Sequence, residues 1–197
     1  MKMVKRWKAG VCIFVMSVLL TACGEKELTV DTNTLYIKSD GTLTEVSFEL
    51  FQEEYYDAAE LEKYVKDEVH TYNYKNVREA IAVDKVEVQD NVAAAYLTYQ
   101  TVDDYIAFNE AEVFSGTVKK AMDEGYDFEV EFLECSKGEP AGILDVTAES
   151  SNKILILDAT IDVRVDGTIC FISSNVQKKD KKNVSLTQGE LSYIIYK

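Results

Sequence analysis

Ile161-Asp162-Val163-Arg164-Val165-Asp166-Gly167-Thr168-Ile169-Cys170-Phe171 alternates apolar and polar side chains up to an Asp-Gly dipeptide, then begins a second apolar run. Period two puts Ile161, Val163 and Val165 on one face of a strand and Asp162 and Arg164 on the other. Asp-Gly admits the positive φ angles of a two-residue hairpin loop. The stretch therefore predicts two antiparallel strands with one dry face and one wet face. Asp40-Gly41 repeats the signal between residues 35–38 and 43–48, and Asp90-Asn91 repeats it between residues 86–88 and 92–99.

Outward from these turns the pattern continues. Phe128, Val130 and Phe132 alternate with Asp127, Glu129 and Glu131. Ile154-Leu155-Ile156-Leu157 is apolar throughout, as in a central strand, and residues 191–196 read as another strand. The best helix covers residues 58–72. Asp57 caps it, with Glu60 placed for a capping box, and Leu61, Val65, Val69 and Tyr72 form one stripe. Glu62 and Lys66 make a favourable i,i+4 pair. A second helix is expected over residues 102–108. A third starts after Ser115 or Thr117 and stops at Gly125, a good C-cap. Helices gather before residue 125 and strands after it, which predicts an α+β class: an antiparallel sheet with about three helices packed on one face, in a single domain over residues 34–197. The only proline is Pro140, so no proline-rich linker divides the chain.

The N-terminus reads as an address. Residues 1–10 carry Lys2, Lys5, Arg6 and Lys8 and no acid, and residues 11–20 carry no charge. A basic block followed by an apolar block is a secretory signal. Crossing a bilayer takes about 20 apolar residues, so this run is too short for an anchor. It ends in Leu20-Thr21-Ala22-Cys23. That tetrapeptide resembles the lipobox of bacterial lipoproteins: an aliphatic residue, two small residues, then cysteine. The resemblance implies a signal peptide over residues 1–22, cleavage between Ala22 and Cys23, and a diacylglyceryl thioether on the Cys23 sulfur. Residues 23–33 are then a lipidated N-terminus and polar spacer. The stretch from Leu28 to Gly41 and the ending from Gly189 to Lys197 are similar to small surface lipoproteins of Gram-positive, clostridia-like bacteria, a likeness that brings no activity with it.

Charge agrees with a tether. Removing the four signal cations from a net charge of −14 leaves −18 on the mature chain. Anionic headgroups repel such a surface, whereas two acyl chains, at about 0.8 kcal/mol per buried CH₂, hold it stably. The expected location is the extracytoplasmic face of the cell membrane, with the bilayer as partner through Cys23. An acidic chain is also a poor nucleic-acid binder, since phosphate contact needs a basic field.

Catalytic signals are weak. His70 is the only histidine and lies beside the helical stripe, with no G-x-S-x-G elbow to serve. A zinc site lacks ligands, and neither G-x-G-x-x-G nor a P-loop occurs, so no cofactor is implied. Glu53-Glu54, Asp103-Asp104, Asp123-Glu124 and Glu129 with Glu131 are paired acids, but 35 acids make any one pair unremarkable and solvated faces the simpler reading. Lys178-Lys179-Asp180-Lys181-Lys182 reads as a charged hairpin loop. Twelve tyrosines suit carbohydrate or protein contact, although Trp7 departs with the signal. Cys12 departs too. Cys135 and Cys170 remain: an exported compartment permits a disulfide, and two free thiols are preferred because nothing places their strands side by side. The expectation is a non-enzymatic binding or envelope-interaction module with an envelope polymer or protein as partner. The alternative is a hydrolase of wall polymer or glycan, which needs two acids about 5 to 9 Å apart in a cleft. A solute-binding component of a transporter is a third reading, disfavoured because such proteins have two lobes around a hinge.

Overall fold

The computed structural model describes residues 30–197. The signal sequence, Cys12, Ala22, Cys23 and residues 24–29 of the spacer lie outside the described residues. In chain order the elements are β1 (Thr34–Ile37), β2 (Leu43–Leu50), α1 (Ala58–Asn76), β3 (Ile81–Gln89), β4 (Val92–Tyr99), α2 (Val102–Asn109), β5 (Val113–Thr117), α3 (Val118–Asp123), β6 (Phe132–Glu134) and β7 (Glu139–Ala141). They are followed by α4 (Ile143–Thr147), β8 (Lys153–Leu157), β9 (Ile161–Val165), β10 (Ile169–Ser173), β11 (Gln177–Lys178), β12 (Asn183–Leu186) and β13 (Ser192–Tyr196).

The strands form two sheets, of order β11-β12-β9-β1-β2-β4-β3 and β5-β8-β13-β10-β6-β7. This corrects the expected single antiparallel sheet, and the first sheet is mixed because β1 and β9 run parallel. Two of the three turn dipeptides make hairpins. Asp90 and Asn91 both take positive φ, 52° and 61°, between Gln89 and its partner Val92, the conformation of a two-residue I′ loop. Gly41 takes φ 92° in a longer loop closed by Lys38 N–H donating to the Thr42 carbonyl at 2.9 Å. Asp166-Gly167 does not make a hairpin. Here the chain crosses from the first sheet to the second: Asp166 N–H still bonds the Ile37 carbonyl, and Thr168 already exchanges both backbone hydrogen bonds with Lys197. Glycine is needed at 167 for close approach, since a Cβ there would lie 2.2 Å from the Lys197 carbonyl oxygen.

The apolar positions explain the layering. Leu35, Ile37, Val163, Val165 and Val184 of the first sheet meet Leu155, Leu157, Ile172, Ile194 and Tyr196 of the second in one core, with Val69 of α1 and Tyr105 of α2. The alternate residues of the second sheet, Ile154, Ile156, Tyr193 and Ile195, build a second core with Val118 and Ala121 of α3, Val146 of α4 and Phe128. The apolar run of β8 is thus buried on both faces, and β8 lies between β5 and β13. Among the described residues the helices are four rather than about three, and they do not share one face: α1 and α2 serve the first core, α3 and α4 the second. Of the expected strand around Phe128, only residues 132–134 pair. Phe128 and Phe132 nonetheless stay buried, packing 5.7 and 5.8 Å from the Tyr193 ring.

Candidate functional site

Helix α1 begins where Asp57 accepts hydrogen bonds from Ala59 and Glu60 N–H at 2.8 and 2.9 Å. Its stripe turns Val65, Val69 and Tyr72 onto the first core. The helix ends at Val77, held in the left-handed region at φ 54°. Asn73, buried in the last turn, completes the join to β3: its side-chain oxygen accepts from Ala80 and Ile81 N–H at 2.9 Å each, and its amide donates to the Ile81 carbonyl at 2.8 Å. Thr101 caps α2. One residue then ties the two helices together. Asp104 is 2% exposed and accepts from Thr101 Oγ1 at 2.7 Å, Tyr72 Oη at 3.2 Å and the Arg78 guanidinium at 2.5 Å. A buried carboxylate is tolerated only with such partners.

This clamp holds α1 and α2 apart over the core face of β4, and a groove of about 480 Å³ opens between them. Tyr64, Tyr72 and Phe108 line it, with Ala95 and Leu97 contributed by β4. Ala95 is small, which leaves space where a larger side chain would close the gap. Glu68, Thr71, Lys75 and Glu110 supply polar groups. Across from Leu97, on the same face of the sheet, stands Glu45. Its carboxylate accepts from Tyr99 Oη at 2.6 Å and from the Asn109 amide at 3.2 Å. Burial, helped by the Glu45 charge, pushes the Tyr99 phenol far above its ordinary pKa, and burial does the same to Tyr105. Both phenols therefore stay protonated, and Tyr99 stays a donor. The site offers aromatic and aliphatic contact with a few polar groups at its edge, the usual make-up of a small-ligand pocket.

The residues singled out in the sequence are scattered. His70 sits on the exposed side of α1, its ring 6.5 Å from that of Tyr74, in a shallow hollow with Val77, Arg78 and Glu79. Glu53, Glu54, Asp103, Asp123, Glu124, Glu129 and Glu131 are exposed, and only Asp104 of the paired acids is buried. Among the described residues no group of three His, Cys, Asp or Glu could hold a metal ion. Among the described residues, the carboxyl groups whose ionisation is displaced move downward. Asp40 is held low by Thr42 backbone and side-chain hydrogen bonds, Glu134 by Lys137, and Glu149 by Lys197.

Cys135 and Cys170 do come together along the backbone: Cys135 N–H donates to the Cys170 carbonyl at 2.7 Å. Both are free thiols. Their strands are neighbours, contrary to the expectation: β6 pairs antiparallel with β10, Glu134 opposite Phe171, and Cys135 follows directly. Burial raises both thiol pKa values, which makes them poor nucleophiles. The lysine run is the turn between β11 and β12. Asp180 organises it by accepting from Lys182 and Asn183 N–H, while Lys178 and Lys179 are engaged by the Cys135 carbonyl and Asp162. Tyr55, Tyr56, Tyr64 and Tyr74 are exposed, and Tyr193 and Tyr196 are buried.

Sequence reasoning marked Tyr64 and Tyr72 but missed Ala95, Phe108 and Glu45. The signal available was Ala93-Ala94-Ala95, a run of small residues in a strand otherwise rich in bulk. No described helix is long and apolar enough to cross a membrane. Compared with protein-family models, curated proteins and solved structures, the chain matches none.

Proposed function

We propose that this chain is a lipid-anchored extracytoplasmic binding module, tethered through a diacylglyceryl group on Cys23, whose ligand lies in the groove between α1 and α2. The groove carries the binding part of this reading: three aromatic side chains and an alanine floor around 480 Å³ of open space, within the range of small-ligand sites. Leu20-Thr21-Ala22-Cys23 and the charge of the mature chain support the anchor. The spacer fits the same reading. Ten residues separate Cys23 from Thr34, the first residue of β1, a reach of at most about 35 Å when extended.

Metabolic labelling with an alkyne fatty acid tests the anchor. The native chain should take up label and sediment with membranes, and Cys23→Ser should do neither. Equal labelling of both, or native chain free in the medium, overturns it. Native mass spectrometry tests the groove separately. Ala95→Phe, which fills the groove without touching Cys23, should lose a ligand mass that the native chain retains. Bare masses for both proteins overturn the groove.

A further inference from the structure

The walls of the α1–α2 groove are aromatic. Tyr64, Glu68 and Tyr72 recur every four residues on α1, so they stand one above another on the face that lines the groove. Phe108 of α2 meets Tyr72 with ring centres 5.6 Å apart and planes at 89°, and the two rings make a corner. The Tyr72 hydroxyl donates to Asp104 at 3.2 Å and holds its ring there. Tyr64 is 63% exposed although it lines a concave wall, which leaves its ring open to an occupant.

Carboxylates flank these rings. Glu68 lies between the two tyrosines of the stripe, and Glu110 enters from the end of α2, where its backbone takes a left-handed φ of 52°. Neither side chain makes an ion pair or hydrogen bond with a described residue. Among the described residues Lys75 is the only cation lining the groove. It follows Glu68 by seven residues, about 10 Å along the helix axis, and it also lines the neighbouring hollow of His70. Lys75 thus stands at one end of the groove, and the described lining sets two negative charges against one positive.

We propose that this groove binds an organic ammonium ion: a small molecule bearing a quaternary or alkyl-substituted amine. The assignment rests on the groove as the binding site and adds the class of its ligand. An aromatic face attracts a cation through the ring quadrupole, most strongly where water is displaced. A carboxylate beside the ring adds Coulomb attraction, and a charge-assisted hydrogen bond where the ammonium carries a proton. An uncharged ligand gains neither, and an anion meets Glu68 and Glu110 as like charges. The alanine floor at Ala95 leaves room for alkyl groups on the nitrogen. The net charge of −14 draws cations toward the whole molecule.

Isothermal titration calorimetry on the mature chain in maltoside micelles tests the proposal. The probes are choline, n-butylammonium and the uncharged tert-butyl analogue of choline, in which carbon replaces nitrogen. At least one ammonium probe should bind saturably, about tenfold tighter than the uncharged analogue, and more weakly as salt rises. Glu68→Gln should weaken binding about tenfold, and Tyr64→Leu about threefold. Lys75→Gln should tighten it by removing a like charge. Glu129→Gln, which removes an exposed acid outside the groove, should leave it unchanged. If the uncharged analogue binds as tightly as choline, the preference for charge is overturned and the groove remains the site. The same holds if no probe binds while native mass spectrometry still shows a ligand that Ala95→Phe loses. If no probe binds and both masses are bare, the groove falls with the proposal. Ammonium binding that survives both Glu68→Gln and Ala95→Phe overturns the proposal by placing the site elsewhere. Glu68→Gln and Lys75→Gln lie at exposed positions and carry the test if Ala95→Phe does not fold.

Discussion

Val77 adopts a backbone conformation that its side chain opposes. A β-branched residue at positive φ is a genuine outlier, and this one is 91% exposed, so packing does not compensate it. Its role is positional. The left-handed turn directs Arg78 N–H to the Asn73 carbonyl at 3.2 Å and brings the Arg78 guanidinium to Asp104. Val77→Gly should keep the turn and remove the clash. Left-handed geometry costs a side-chain-bearing residue about 1–2 kcal/mol, and glycine returns about 0.5–1 kcal/mol in chain entropy. The variant should therefore be more stable by about 0.5–1 kcal/mol, read as a higher urea midpoint. A lower midpoint would mean that the valine side chain contributes a contact. None of this is legible in the sequence, because Asn-Val-Arg carries no C-cap signature. Asn73 is similar: a polar residue inside a helix gives no sign that it will bond three backbone groups of Ala80 and Ile81 at the start of β3.

Among the elements, β8 shows how much a short apolar run can say. Four consecutive apolar residues predict burial on both faces, and both faces have their own core. Leu155→Ala and Ile156→Ala should each cost about 2–5 kcal/mol, although their side chains point oppositely. Denaturant unfolding checks this, and a large loss at only one of the two would mean that one face is poorly packed. Helix α1 was legible because capping and period agreed, with Asp57 as its cap; Thr117, one of two starts expected for the third helix, also caps, whereas the Thr101 cap of α2 emerged only in the structure. Helix α4 was not legible, because its five residues expose Ile143 and Leu144 and bury Val146, too few positions for a period to emerge. Asp166-Gly167 misled for a physical reason. The same dipeptide serves a tight turn or a close backbone approach, and only the position of Lys197 distinguishes them.

Across the whole molecule, acid should act on the seams of the first sheet. Burial alone would raise the pKa of Asp162 and Asp166, but hydrogen bonds outweigh it: Lys179, Ser185 and Thr32 hold Asp162 low, and Tyr36 and Ser39 hold Asp166 low. A carboxyl group lowered in the fold stabilises it above the unfolded value, about 3.9, and loses that contribution as pH falls through the folded value. The urea midpoint should therefore drop as pH falls below about 4, and more gently in Asp166→Asn. An unchanged slope in that variant would place the acid sensitivity elsewhere. The sequence alone determined the properties that depend on neighbours along the chain: two hairpins, the N-cap and stripe of α1, the two-faced burial of β8 and the acidity of the molecule. Tertiary structure alone decided what depends on residues far apart: the parallel pairing of β1 with β9, the division into two sheets, the meeting of Cys135 with Cys170, and the groove between α1 and α2. Local hydrogen bonding and side-chain period operate within a few residues, whereas a groove exists only after separate segments have been packed against one another.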